Sequence, residues 1–145
     1  MTPMKIAIGC DHGGLNIKEA IIKDLKLIGL EYTDFGTFTT DSVDYPVYAK
    51  KVCAAIQAGE ADYGILCCGT CIGMSMVANK QKGIRAAVVT DDFCAEMTRR
   101  HNNANVLCLG GRVLSEEQAV RLTNIFLSTY YEGGRHQKRI DMMED

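Results

Sequence analysis

The chain has 145 residues, 47% of them hydrophobic, and a formal net charge of −2. That is enough for one well-buried core and too little for two ordinary domains, so a single domain spanning 1–145 is expected. Acidic and basic residues are interspersed, with no basic stripe to follow a phosphate backbone, which argues against nucleic acid as a partner.

The opening MTPMKIAIGC is neither a secretory leader nor a membrane span. A cytoplasmic protein without a membrane partner is therefore expected. Lys5 to Cys10 reads as a first strand. In the helix that follows, Ile17, Ile21, Leu25 and Ile28 share one face, Lys18, Lys23 and Lys26 point outward, and Gly29 ends the run. Glu31 to Gly36 is a second, weaker strand. After a Thr/Asp/Ser loop, Asp44 can cap a helix with Pro46 in its first turn and Ala49, Val52, Cys53 and Ile56 on its buried face. Further strands are expected at Tyr63 to Cys67, Arg85 to Thr90 and Val106 to Leu109. Helices near Ile72 to Lys80 and Asp92 to His101 separate them, and a last long helix covers roughly Ser115 to Tyr130.

Short β-type runs alternating with amphipathic segments are the mark of βαβ units. The strands are near-continuous apolar runs, so both sheet faces should be covered. The expected fold is a three-layer α/β/α sandwich on a five-stranded parallel sheet, Rossmann-like in character. In such sheets ligands bind beyond the carboxyl ends of the strands. Asp11-His12-Gly13-Gly14, Cys68-Gly69-Thr70-Cys71 and Gly110-Gly111-Arg112 fall there. His101-Asn102-Asn103 lies just before the last strand and needs folding back to reach that rim.

The segment YGILCCGTCIG, Tyr63 to Gly73, ends an apolar run in a thiol-bearing turn directly before a helix. Amides at a helix start can hold an anion, and their partial positive charge favours a thiolate. Cys68 is thus placed for thiol chemistry at a site where charge can be stabilised. Seven cysteines, mostly in apolar runs, fit a reducing compartment better than a disulfide framework. Cys10, Cys53, Cys94 and Cys108 read as core fillers, and Cys67 points opposite to Cys68.

Taken together, IGCDHGG from Ile8, DYPVYA from Asp44, GILCCGT from Gly64, ANKQKGIRAA from Ala78, RRHNNANVL from Arg99 and YEGGRHQKR from Tyr131 resemble the ribose-5-phosphate isomerase B family. That family includes isomerases of galactose 6-phosphate and allose 6-phosphate. The resemblance implies interconversion of an aldose phosphate and a ketose phosphate through a cis-enediolate, without metal or organic cofactor, in pentose phosphate metabolism. It makes Cys68 the base that moves a proton between carbons 2 and 1, with Thr70 assisting proton transfer between oxygens. The amides of Gly69, Thr70, Cys71, Ile72 and Gly73 would hold the enediolate oxygen. His101 matches the ring-opening residue, with Asp11 taking the anomeric proton and Asn102 holding a hydroxyl. Arg135 and Arg139 match the phosphate-binding arginines and would share one face of a helical tail, with His12 and Arg112 lining the same pocket. In the family these C-terminal arginines reach a neighbouring subunit's site, which implies a homodimer.

The residues carry plainer readings as well. His12 in a DHGG turn can be a capping or solvated residue, Gly13-Gly14 needs only turn geometry, and the 135–139 charges can be a solvated tail. The glycines lack the spaced pattern of a dinucleotide fold. One position departs from the family, which normally has glycine where this chain has Cys71. A positive φ there costs a cysteine about 1 kcal/mol or more. It also creates a C-x-x-C, which outside the family suggests a redox dithiol able to form a Cys68–Cys71 disulfide. Two cysteines without a second pair are poor grounds for zinc. The GGRHQKR tail favours ribose 5-phosphate over a six-carbon phosphate. A thiol-disulfide oxidoreductase and a sugar-phosphate binder without catalysis are the readings from other classes.

Overall fold

The structure is a computed structural model that describes residues 4–145. Five strands form one all-parallel sheet: β1 (Lys5–Cys10), β2 (Glu31–Asp34), β3 (Tyr63–Cys68), β4 (Ala86–Val88) and β5 (Val106–Gly110), in the order β2-β1-β3-β5-β4. Six helices accompany them: α1 (Leu15–Ile28), α2 (Tyr45–Gln57), α3 (Ile72–Asn79), α4 (Asp92–Arg100), α5 (Glu116–Ser128) and α6 (His136–Met143). Among the described residues no helix is long and apolar enough to cross a membrane.

The central strands alternate between two cores, as a sheet covered on both faces requires. Ile6, Ile8, Cys10, Ile65, Cys67, Leu107 and Leu109 meet α1 and α5 through Ile17, Ile21, Leu25, Leu122 and Phe126. On the other face Ala7, Leu66, Val106 and Cys108 meet α2 and α3 through Val52, Cys53, Met74 and Ala78. The α/β sandwich and its five-stranded parallel sheet thus stand as the sequence led us to expect.

Four local expectations need correcting. Lys18 does not point outward: it is 1% exposed, because α1 passes the exit of β2, where Asp34 Oδ1 and the Thr37 carbonyl accept from its ammonium at 2.7 and 2.6 Å. A buried ammonium is tolerable only with such partners. Ile28 is exposed, because Gly29 (φ 76°) turns the chain and Leu30 packs on the core in its place. Cys94 is exposed in the first turn of α4, whose buried face is Ala95 and Thr98. Asp44 takes the N-cap position of α2 without a side-chain cap bond.

The shorter elements also end where the backbone dictates. β2 stops at Asp34 ahead of Gly36, whose φ is 92°. β4 is only Ala86–Val88. The helix α5 begins behind a full capping box between Ser115 and Gln118, and Thr129, in extended conformation, stops it at Ser128. Beyond it the tail forms α6, so the helical condition placed on Arg135 and Arg139 is met from His136 onward.

Candidate active site

Register brings the strand exits together. Cys10 pairs with Cys67 and Cys68 with Gly110, so the turns after β1, β3 and β5 begin side by side on one rim. They are tied backbone to backbone: Asp11 N–H donates to the Cys67 carbonyl at 3.1 Å, Gly111 N–H to Cys68 at 2.7 Å, and Arg112 N–H to Gly69 at 3.0 Å. Such close approach explains the glycines. A Cβ at Gly14 would enter the Cys67–Cys68 peptide, and one at Gly111 would enter the Gly13 carbonyl.

Cys68 stands at the centre of this rim. Its Sγ donates to Asp11 Oδ2 at 3.0 Å, and the other carboxylate oxygen of Asp11 accepts from Gly13 N–H at 2.8 Å. Asp11 is buried, 5% exposed. The Cys68 thiol is pushed up to about 12, first by burial, then by the hydrogen bond to Asp11 and by that carboxylate's charge, with Gly69 N–H pulling weakly the other way. In the single chain this shift runs against the expectation that the helix start raises the thiolate fraction of Cys68. Its proton has a defined acceptor in Asp11.

The turn into α3 carries the amides that the resemblance assigns to the enediolate oxygen. Ile72 N–H donates to Thr70 Oγ1 at 3.2 Å, whereas among the described residues the amides of Thr70, Cys71 and Gly73 donate to no protein acceptor. Those amides and the helix start form a concentrated positive edge beside Cys68. The Arg112 guanidinium lies across Gly69, with Nη1 3.1 Å from where a Cβ would stand. His12 is fixed through its Nδ1, which accepts from Val43 N–H at 3.3 Å.

Cys71 sits at the N-cap with φ 66° and ψ 9°, the left-handed conformation that glycine takes freely. Its thiol is fully buried and donates to the Leu66 carbonyl at 3.2 Å. Burial raises it, with the Cys108 thiol next to it as the second cause. Cys68 and Cys71 therefore aim at different surroundings, one at Asp11 and the other at the core under α3. The geometry favours plain packing of Cys71 over a Cys68–Cys71 disulfide.

His101, Asn102, Arg135 and Arg139 are not at this rim. His101 closes α4, and the following turn leads to the entry of β5: Asn103 accepts from Arg85 at 3.1 Å, and Asn105 donates to the Arg85 carbonyl at 3.0 Å. Val106 pairs with Gly64 near the start of β3, whereas Cys68 pairs with Gly110 at its end. The two polar groups thus occupy opposite ends of the same strands. No fold-back occurs within one chain, because five residues of β5 separate them.

This second corner is built on Arg99, which sequence reasoning passed over. It is 4% exposed and donates to Asn103 Oδ1 at 2.8 Å, the Ala104 carbonyl at 2.8 Å, the Thr129 carbonyl at 3.3 Å and Tyr63 Oη at 2.9 Å. Its burial lowers its pKa, which the Tyr63 contact partly offsets. Glu132 was also missed, and His136, read from sequence only as part of a solvated tail, is buried at 5% exposure. The rings of His101 and His136 stack at 4.4 Å, and Glu132 reaches both, at 3.9 Å from His101 Nε2 and 3.5 Å from His136 Nε2. The sequence signal is the four-residue spacing of Glu132 and His136 within YEGGRHQKR.

Three comparisons bear on this arrangement. A family model described as Ribose/Galactose Isomerase matches residues 6–143. Ribose-5-phosphate isomerase B of Escherichia coli is 46% identical over 94% of this chain and 92% of its own length. The crystal structure of a ribose 5-phosphate isomerase from Thermotoga maritima is 48% identical, with a TM-score of 0.95 over 97% of each chain. That of ribose-5-phosphate isomerase B from Mycoplasma genitalium, with bound ribulose-5-phosphate, is 39% identical with a TM-score of 0.93 over 99% of this chain and 96% of that one.

Proposed function

The chain belongs to the ribose/galactose isomerase family, and we propose that its reaction is the interconversion of ribose 5-phosphate and ribulose 5-phosphate. The observation that carries the mechanism is the 3.0 Å contact between the Cys68 thiol and Asp11, beside open amides. The relative with bound ribulose-5-phosphate supports the five-carbon substrate.

A furanose must open first. His101 gives a proton to the ring oxygen while Asp11 takes the anomeric hydroxyl proton, and Asn102 holds a sugar hydroxyl. Once Asp11 has released that proton to solvent, it can accept the thiol proton of Cys68. The Cys68 thiolate then removes the proton on carbon 2. The developing enediolate oxygen meets the turn from Gly69 to Gly73, chiefly the open amides of Thr70, Cys71 and Gly73, with Ile72 N–H joining if it leaves Thr70 Oγ1. Thr70 passes a proton between the two oxygens. Cys68 returns its proton to carbon 1, which completes the aldose-to-ketose change without redox loss or gain. His12 and Arg112 line the sugar-phosphate pocket, and Arg135 and Arg139 bind the phosphate dianion.

Because these groups lie at opposite ends of one sheet, the complete site needs a second copy of the chain. We assign a homodimer in which the His101, Asn102 and arginine-bearing corner of one subunit faces the Cys68 rim of its partner. The partner's cations would also counter the charge that holds Cys68 protonated. No step calls for a metal or organic cofactor, and a cytoplasmic setting fits a sugar-phosphate substrate and seven free thiols.

Mixing inactive variants tests this directly. Cys68→Ala and His101→Ala should each be inactive alone. After subunit exchange, a heterodimer keeps one intact site, so an equal mixture should recover about a quarter of wild-type activity. Full inactivity of a mixture shown by mass spectrometry to contain heterodimers would reject the shared site.

A further inference from the structure

We infer that His101, Glu132 and His136 form a binding site for a divalent transition-metal ion of the zinc type. One ligand atom from each residue lies within 4.8 Å of the others. Bonds of about 2.0–2.1 Å in tetrahedral geometry place ligand atoms about 3.3 Å apart. The Glu132 contacts at 3.5 and 3.9 Å already approach that spacing.

The second observation is the state of His136. Its imidazole is 5% exposed, yet its buried Nε2 has no hydrogen-bond partner. Buried imidazole nitrogens are ordinarily satisfied, and one left open towards a carboxylate and a second imidazole is an open ligand position. Neutral imidazoles and one carboxylate suit zinc, cobalt or nickel rather than calcium or magnesium.

The site is also held in place before any ion arrives. Glu132 N–H donates to the Arg100 carbonyl at 3.0 Å, which ties the tail to the end of α4. That helix end places partial negative charge beside His101. Arg100 pairs with Glu96 at 3.2 Å and so does not compete for Glu132. The stacked rings, 16° from parallel, must splay for both nitrogens to reach one ion. His101, 40% exposed in the single chain, has the freedom to swing towards Glu132 and His136.

An ion here would engage the Nε2 of His101, so it would inhibit the isomerase reversibly. That consequence rests on the ring-opening role proposed for His101, whereas binding itself does not. Zinc titration of the full-length dimer by calorimetry, in a Cys68→Ala/Cys94→Ala background that removes the competing thiols, measures binding alone. One zinc per chain with micromolar affinity is expected, weakened at least about tenfold by Glu132→Gln and again by His136→Ala. Cobalt should give ligand-field bands without a sulfur-to-metal charge-transfer band. Absent binding, or binding unchanged in both variants, overturns the site. In the Cys94→Ala enzyme, zinc should abolish isomerisation with the same midpoint. Binding without inhibition of an active enzyme would overturn the link to His101. Binding by a protein with no isomerase activity would leave the site standing and sink the functional reading.

Discussion

The rim around Cys68 and the corner around His101 are both polar, but they are made differently. At the rim, neighbouring turns are joined by main-chain hydrogen bonds, glycines allow the close approach, and Asp11 is buried against the thiol. At the corner, side chains from the end of α4 and the C-terminal tail meet around a buried Arg99, and much of the chemistry-bearing surface is exposed. In the proposed mechanism the rim supplies the carbon base and the oxyanion donors, and the corner supplies the acid for ring opening and two of the cations for a dianion. On that proposal each lacks what the other has, and the reaction is shared between copies.

The largest effect should come from the rim. Cys68→Ala should lower kcat at least about 10³-fold, because the proposed carbon base is lost. Circular dichroism and Tm should stay close to wild type, since the residue is half-buried and its partner Asp11 keeps the Gly13 amide. Near-normal turnover would remove Cys68 from the mechanism.

Asp11→Asn should separate reactivity from catalysis. In the single chain burial, and then the carboxylate beside it, push the Cys68 thiol up to about 12. Its alkylation by iodoacetamide should therefore rise steeply with pH above 9 without an early plateau. Loss of the negative charge favours the thiolate, so in Asp11→Asn the alkylation curve should move to lower pH. At the same time kcat should fall about 10²-fold, because the acceptor for the thiol and anomeric protons is lost. An alkylation curve that does not move would mean that burial alone holds the thiol protonated.

How far the sequence revealed these two regions follows from their construction. The sheet, its cores and the rim were legible, since strand exits are encoded by apolar runs that stop at Asp11, Gly69 and Gly111, and the parallel topology sets those stops side by side. The state of Cys68 was not legible. Helix-start logic pointed to a low pKa, but burial of the thiol, reinforced by the carboxylate contributed by a turn 57 residues away, pushes it the other way. Lys18 was misread for the same reason, as its partners Asp34 and Thr37 lie outside its helix. The corner was legible only as separate motifs. The meeting of Glu132 and His136 with His101 depends on how the tail docks on Arg99, which no local pattern encodes.

The corner should respond in binding more than in chemistry. Arg139→Ala should raise KM for ribose 5-phosphate about 10-fold to 100-fold and change kcat much less, as loss of a charge-assisted phosphate contact acts on ground and transition states alike. Titration with inorganic phosphate as a competitor gives an independent reading. A fall confined to kcat would place Arg139 at the reacting carbons and erase the division between the two regions.

The smallest effect is expected at Cys71, where the resemblance led us to expect a glycine. Cys71 has φ 66°, and relief of that conformation by Cys71→Gly is worth about 1 kcal/mol. Against it stands the loss of a fully buried thiol packed under α3 and bonded to the Leu66 carbonyl, which costs about as much. Stability by urea unfolding should consequently change by less than about 1 kcal/mol, and kcat by less than about threefold, because the amides at 69–73 keep their directions. Cys71→Val keeps the strained φ and adds a β-branch, so it should cost about 2 kcal/mol. If glycine proves as damaging as valine, thiol packing rather than backbone conformation governs the turn. Peroxide sensitivity should be the same in Cys71→Gly as in the parent; a clear loss of sensitivity would restore the Cys68–Cys71 disulfide and show that the rim opens enough to bring the two thiols together.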